Sequence, residues 1–93
     1  MSHKSIQEFH KLVSERKDYD YDFTGWLEGD TIVDVQVGVQ PSGITTQIEF
    51  TTTTVKIWCE GGIGNASYEV KITVTTDLTR VEIQKLVVHV EPD

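Results

Sequence analysis

The residues whose spacing comes closest to a metal site are four aspartates in the first third of the chain: Asp18, Asp20, Asp22 and Asp30. A calcium loop needs several oxygen ligands that converge on one ion. An EF-hand loop that began at Asp18 would require glycine and glutamate where the chain has Phe23 and Gly29. Alternate aspartates in an extended strand also spread too far apart to share one ion. The pattern therefore predicts a solvated polar face and no metal site.

Catalytic residues are equally hard to assemble from this sequence. His3, His10 and His89 lie in three separate segments without metal-ligand spacing, and no serine, histidine and aspartate suggest a triad. Residues 61–64 are rich in glycine, but no helix follows to offer its N-terminus to a phosphate. The single cysteine, Cys59, allows no intramolecular disulfide, and its place in a strand pattern predicts burial. We therefore predict no catalytic residue, no cofactor and no enzyme.

Composition restricts the partners of the chain. Its 93 residues suit one domain, and 15 acidic against eight basic residues give a formal charge of −7. Nucleic-acid binding depends on clustered lysine and arginine, which are scattered here. No apolar run approaches the roughly 18 residues of a membrane span, and the N-terminus lacks an apolar signal core. We predict synthesis in the cytoplasm and binding to neither nucleic acid nor membrane.

Residues 5–17 have the pattern of a short amphipathic helix. Ser5 and Glu8 have the spacing of a capping box. An apolar stripe follows at helical intervals: Ile6, Phe9 and Val13. A helix of this length is marginal by itself and needs a surface, either on its own domain or on a neighbouring subunit. We predict a helical arm of residues 1–17, with this stripe as a candidate interface, and a β body of residues 18–93.

The body alternates apolar and polar residues in about seven segments, the pattern of half-buried strands. In the segment that starts at Thr31, the predicted buried residues are Val33, Val35, Val37 and Val39. Turn signals separate the segments, so the sequence predicts an all-β fold, an immunoglobulin-like antiparallel sandwich with a short helical arm.

The last segment changes parity partway along. Val81 and Ile83 occupy odd positions, whereas Leu86, Val88 and Val90 occupy even ones. One extra residue is needed to keep both sets in the core, because side chains alternate with a period of two. A β-bulge at residues 84–85 would supply it, and a break into two short strands is the alternative.

Three aromatic residues have predicted roles. Tyr68 begins a strand after a glycine loop, as does the corner tyrosine of immunoglobulin-like and fibronectin type III-like domains. Trp26 lies between the first two strand segments of the body and is predicted to plug one end of the sandwich. Trp58 shares parity with Lys56 and Glu60, so we predict an exposed side chain and a candidate interface.

Several segments together resemble a family of short structural proteins of tailed phages and prophages. Residues 21–27 and then Gly29-Asp30-Thr31-Ile32 resemble its opening, an aromatic segment with Trp-Leu followed by a Gly-Asp-Thr-Ile strand start. The remaining matches are Thr51 to Thr54, Trp58, Gly61-Gly62, Tyr68, Val70, Val74 and Thr76. The resemblance covers roughly residues 19 to 90 and leaves the arm outside. Members are described as fibre-tail adaptor or immunoglobulin-like phage proteins.

That resemblance implies a non-enzymatic virion protein, made in the bacterial host cytoplasm, that connects parts of the tail or neck. Its partners would be other virion proteins, and it would form a homo-oligomer in the particle. The alternative is an immunoglobulin-like module that binds carbohydrate or a host surface, which an exposed aromatic platform with nearby carboxylates would favour.

Overall fold

Alternating apolar and polar residues form seven strands in the computed structural model, which describes residues 7–93. A single helical turn follows the second strand. In chain order the elements are β1 (Gln7–Leu12), β2 (Arg16–Asp22), α1 (Thr24–Leu27), β3 (Ile32–Gln40), β4 (Ile44–Phe50), β5 (Thr54–Gly61), β6 (Ala66–Thr76) and β7 (Val81–Glu91).

The strands form two sheets that pack face to face. The first sheet has the order β1-β7-β6-β3 and the second sheet has the order β2-β5-β4. β1 runs parallel to β7, and the other described pairs are antiparallel. The predicted all-β, immunoglobulin-like sandwich is confirmed.

The core lies between the three central strands. β5 contributes Val55, Ile57 and Cys59, and all three are fully buried. They face alternate residues of β6 and β7: Val70, Ile72, Val74, Leu86, Val88 and Val90. The predicted burial of Cys59 is confirmed.

Within residues 7–93, no helix is long and apolar enough to cross a membrane.

The predicted helical arm is wrong for the residues that the structure describes. Gln7–Leu12 form strand β1, which pairs with β7 from Gln7 opposite Leu86 to Leu12 opposite Glu91. Pairing with β7 gives the backbone of this segment hydrogen-bond partners, which an isolated short helix could not match in stability. The predicted capping residue Ser5 and the stripe residue Ile6 lie outside the described residues.

The predicted bulge in the last strand is also wrong. β7 pairs with β6 in unbroken register, so Val81 and Ile83 face outward and are 58% and 42% exposed. Gln84 takes the inward position and is buried, with its amide donating to the Lys85 carbonyl at 3.1 Å.

A register shift occurs instead in β3, between Ile32 and Asp34. It turns Ile32 into the core and leaves Val33 51% exposed, against the prediction that Val33 is buried. Val35, Val37 and Val39 lie on the inward face as predicted and are partly buried. An extra residue moves one side chain across the sheet, because successive side chains alternate between faces.

Candidate interaction surfaces

Tyr68 closes one end of the sandwich, at the start of β6. Its side chain is buried, and its hydroxyl accepts a hydrogen bond from the Ile63 backbone N–H at 3.0 Å. Gly43 and Gly62, both at positive φ, lie against the ring. A Cβ at Gly43 would come within 2.7 Å of Tyr68 Cε1, and one at Gly62 within 2.8 Å of Val90 Cγ2. This is the geometry of a tyrosine corner.

Asp30 organises the opposite end of the sandwich. Its side chain is 2% exposed, and it accepts hydrogen bonds from the Thr31 N–H at 2.8 Å and the Leu78 N–H at 3.2 Å. Burial by itself raises the pKa of this carboxyl, but hydrogen bonds outweigh burial and hold the pKa below its ordinary value. The donors are Thr76, Thr31, Arg80 and Leu78.

Arg80 connects Asp30 to the turn of helix α1. Its Nε donates to Asp30 Oδ2 at 3.2 Å, and its Nη2 donates to the Leu27 carbonyl at 2.7 Å. Its guanidinium lies 4.5 Å from the centre of the Trp26 ring, within cation–π range. The structure thus places Trp26 at this end, half-buried against Phe23 and under Arg80. Sequence reasoning treated Asp30 as a candidate calcium ligand and as part of the family resemblance, and it did not find this cluster.

Four polar side chains lie inside or at the margin of the core. The hydroxyls of Tyr19 and Tyr21 are buried without a hydrogen-bond partner in the described structure, and burial raises both pKa values to about 12. Burial also raises the pKa of the Cys59 thiol to about 11, against an opposing influence of Lys11. Lys11 is 2% exposed and donates to the carbonyls of Leu12 and Gly61, each at 2.7 Å, so it ties β1 to β5.

These raised pKa values predict alkaline unfolding. The thiol and the phenols are neutral when protonated, and each has a higher pKa in the folded than in the unfolded state. Such a group contributes its full stabilisation at a pH below its unfolded pKa. That contribution is lost as the pH rises through its folded pKa. The window therefore runs from pH 9 to 11 for Cys59 and from 10 to 12 for the tyrosines. Urea unfolding should show a markedly lower free energy of unfolding at pH 11.5 than at pH 8, and about 3 kcal/mol of the difference should come from the fully buried Cys59. Cys59→Ala should have a flatter pH profile; an identical profile would contradict this assignment.

A serine, two histidines and two glutamates meet on the outer face of the first sheet. Ser67 Oγ lies 2.7 Å from His89 Nδ1, and His89 Nε2 lies 2.7 Å from Glu8 Oε1. His10 Nδ1 lies 2.8 Å from Glu91 Oε2, beside the His89 ring. Ser67 and His89 are on β6 and β7, which have neighbours on both sides. Their backbone N–H groups therefore serve the sheet and do not form an oxyanion hole.

The aspartates weighed as metal ligands serve other purposes. Asp18 and Asp20 lie 3.6 and 4.0 Å from the Lys56 ammonium, and Asp22 accepts hydrogen bonds from the backbone and hydroxyl of Thr24 at the start of α1. Within residues 7–93, no group of three or more histidine, cysteine, aspartate or glutamate side chains could hold a metal ion.

Trp58 lies at the middle of the outer face of the second sheet, opposite Asp18 on one side and Gln47 on the other. The Arg16 guanidinium covers its ring at 4.1 Å, and Arg16 also donates to Gln47 at 2.9 Å. We call this surface the tryptophan face. Its residues are Arg16, Asp18, Asp20, Asp22, Thr45, Gln47, Glu49, Thr54, Lys56, Trp58 and Glu60. With five carboxylates and two cations, it is acidic around an aromatic centre.

The outer face of the first sheet carries a pair of lysines. Lys71 and Lys85 stand opposite each other on β6 and β7, and Gly38 of β3 is the next residue in the same row. A Cβ at Gly38 would meet nothing within 4 Å, and a shallow depression of about 340 Å³ opens there. Ile83 and Val81 lie in the next two rows; Asp34 shares the row of Val81, and Glu69 lines the depression. We call this surface the lysine face.

The other predicted interface residues lie closer to the core. Phe9 on β1 contacts Tyr19, with ring centres 4.2 Å apart, and Val13 packs partly buried against the core of the same domain. Trp58 lies on an outer face as predicted, but its side chain is only partly exposed, because Arg16 covers the ring and the indole Nε1 is buried without a hydrogen-bond partner in the described structure.

An immunoglobulin-like sandwich with outward-facing charged and aromatic surfaces is the class of protein that this structure defines. The chain belongs to the family Gp77, described as podophage GP4 fiber-tail adaptor protein gp77, whose model matches residues 11–89. Among solved structures it is similar to the PKD domain from the KIAA 1837 protein, with a TM-score of 0.53 and 14% identity over 100% of this chain and 93% of that one. At that identity the likeness shows the fold alone. A search of the curated proteins finds no match.

Proposed function

We propose that the chain is a non-enzymatic component of the phage virion that joins parts of the tail or neck through protein–protein contacts. Membership of a fiber-tail adaptor family supports a structural adaptor role. Its partners are other virion proteins and further copies of itself, and it is made in the bacterial host cytoplasm before assembly.

The tryptophan face is the observation that supports this proposal most strongly. Tryptophan and arginine are the residue types that most often dominate binding energy at protein interfaces, and here they stack at the centre of one sheet face. Charged side chains surround them, and such a rim steers association and selects the partner. We assign the main contact to Trp58, and not to Phe9 or Val13, because the latter two pack against their own core.

Carbohydrate or host-surface binding is the second candidate function. Trp58 with Asp18 nearby has the composition of an aromatic sugar platform. Arg16 occupies the ring at 4.1 Å, however, so a sugar would have to displace the guanidinium before it could stack. A glycan array probed with the purified protein tests this candidate directly.

Quantitative mass spectrometry of purified phage particles tests the adaptor proposal. A fixed stoichiometry of this chain relative to the major tail proteins is expected, and its ratio would indicate the symmetry of the assembly. Absence of the chain from particles that contain the other tail proteins would overturn the proposal.

Trp58→Ala should impair assembly without unfolding the domain. Trp58 lies outside the core, so its replacement should change the melting temperature by only a few degrees, whereas incorporation into particles should fall at least about tenfold if Trp58 is a binding hot spot. Leu78→Ala is the control, because Leu78 is also a large exposed apolar side chain, 68% accessible, but lies in the turn between β6 and β7, outside the tryptophan face. Equal incorporation of both variants would show that Trp58 is not the contact.

A further inference from the structure

We propose that the free edge of β3 binds an extended strand of another virion protein, which adds to the first sheet by backbone pairing. This inference rests on the proposed adaptor function. A chain that joins two parts needs two contact surfaces, and the tryptophan face lies on the second sheet. The edge of β3 supplies the other surface, and its chemistry specifies the kind of segment that binds there.

Backbone hydrogen bonding carries the first step. Within residues 7–93, β6 is the one strand that pairs with β3, so β3 ends the first sheet. The Ile32 N–H donates to the Thr52 carbonyl at 2.8 Å, which covers the start of the strand. From Asp34 to Gln40 the register with β6 is unbroken. Alternate residues of an edge strand direct their N–H and C=O groups away from the sheet, and another strand can pair with these groups.

The two sides of the sandwich differ in the protection of their edge strands. β1 lies against β2 on one side, and β3 lies against β4 on the other. Both β1 and β2 have an inward-facing lysine, a residue type that opposes the addition of another strand. Lys11 lies opposite the buried Val90, and Lys17 lies opposite the buried Cys59. The side of β1 and β2 is therefore protected.

Apolar side chains line the side of β3 and β4 instead. The inward-facing residues from Asp34 onwards are Val35, Val37 and Val39 on β3 and Ile44, Thr46, Ile48 and Phe50 on β4. The three valines pack against the core but are only partly buried, and Phe50 is 44% exposed. An added strand would place its own inward-facing side chains against the valines, because cross-strand neighbours on one face are in contact. We therefore expect a partner segment with apolar residues at alternate positions.

Gly38 specifies one further position of the partner segment. On the outer face of the sheet, it lies in the same row as Lys71 and Lys85, beside the depression of about 340 Å³. A Cβ at Gly38 would meet nothing within 4 Å, so the space above this residue is open. An aromatic side chain opposite an edge glycine packs over it and fixes the register of the strands. We therefore expect an aromatic partner residue opposite Gly38.

Hydrogen exchange of the chain, free and within purified particles, tests this inference. The amides of residues 34–40 that face away from β6 should exchange at least about tenfold more slowly in the particle, because strand pairing protects them. The matched control is the opposite edge of the same sheet, β1, which should exchange at the same rate in both states. Equal exchange of residues 34–40 in both states would overturn the inference, and so would protection confined to β1 or to β4.

A lysine on the inward face of β3 tests the same inference by incorporation into particles. Val37→Lys gives β3 the protection that Lys11 gives β1, so incorporation should fall at least about tenfold, since several backbone hydrogen bonds to the partner would be lost. Gln36→Lys is the matched control, because it adds the same charge one residue away, on the outer face, and should be incorporated like the wild type.

The folded state of each variant is checked by a cooperative thermal transition. If folded Val37→Lys is incorporated as well as Gln36→Lys, the inference is overturned. If Val37→Lys does not fold, the hydrogen-exchange comparison, which uses the wild-type chain, decides by itself.

These outcomes are distinct from failure of the adaptor proposal. If the chain is present in particles at fixed stoichiometry but the edge of β3 exchanges as in the free chain, the strand-pairing inference fails and the adaptor role stands. If the chain is absent from particles that contain the other tail proteins, both fail, because no virion protein then supplies a strand.

Discussion

Asp30→Ala should lower the thermal unfolding midpoint by about 10 °C or more, one of the two largest effects expected of a single substitution here. Without the carboxylate, the Leu78 N–H loses its acceptor and Arg80 loses its ion pair at a part-buried site. The connection that holds α1 to the turn between β6 and β7 is then weakened. Differential scanning calorimetry at pH 7 measures the shift.

Asp34→Ala is the matched control for Asp30→Ala. Asp34 is an exposed carboxylate on β3 that accepts one side-chain hydrogen bond, from Gln36 at 3.3 Å, so its removal should move the midpoint by no more than a degree or two. Similar shifts for the two variants would show that the buried cluster does not stabilise the domain.

The same carboxyl predicts a loss of stability in acid. Hydrogen bonds hold the pKa of Asp30 below its ordinary value of 3.8. A depressed folded pKa contributes stability that is present above the unfolded value and is lost as the pH falls through the folded value. Wild-type stability should therefore fall below about pH 4, and Asp30→Ala should lose less over that interval. Parallel pH profiles for both proteins would contradict the assignment.

Tyr68→Phe should destabilise the domain by about 1–3 kcal/mol, because it leaves the part-buried Ile63 N–H without its acceptor. The ring remains and still fills the space beside Gly43 and Gly62, so the effect reports on the corner hydrogen bond and not on a cavity. Urea denaturation with an unchanged m-value would measure the difference.

Tyr21→Phe is the matched control, and the expected sign is opposite. The Tyr21 hydroxyl is buried and has no hydrogen-bond partner in the described structure, so removing it should be neutral or slightly stabilising. Both substitutions delete one hydroxyl from one tyrosine. If Tyr68→Phe were as neutral as Tyr21→Phe, the corner bond would have no role in stability.

Local patterns were enough to predict the strands and turns in which the alternation of apolar and polar residues matches the burial of their side chains. The alternation along residues 19–23 and 68–74 predicts which side chains face inward, since a pleated strand with one buried face must alternate. The glycine loop before Tyr68 predicts a corner. The outward direction of Trp58 follows from its neighbours Lys56 and Glu60 in the same way, but its cover by Arg16 does not.

Local patterns failed where a distant strand decides the conformation. Phe9 and Val13 fit a helical stripe, yet the parallel edge of β7, about 80 residues further along the chain, makes the segment a strand. Val81 and Ile83 suggested a bulge because they are apolar at odd positions, whereas the later apolar residues of the strand are at even positions. The unbroken register with β6 places them outside, and the register shift falls in β3, where no local signal marks it.

By itself, the sequence determined the all-β class and the strand segments from Tyr19 onwards, because both depend on the period and type of neighbouring residues. Only the tertiary structure decided that Asp30 meets Arg80 across 50 residues and that Trp58 and Lys71 lie on the outer faces of two different sheets. Those arrangements depend on which strands pair and in what register. Pairing is set by the free energy of the whole sandwich, which no single segment contains.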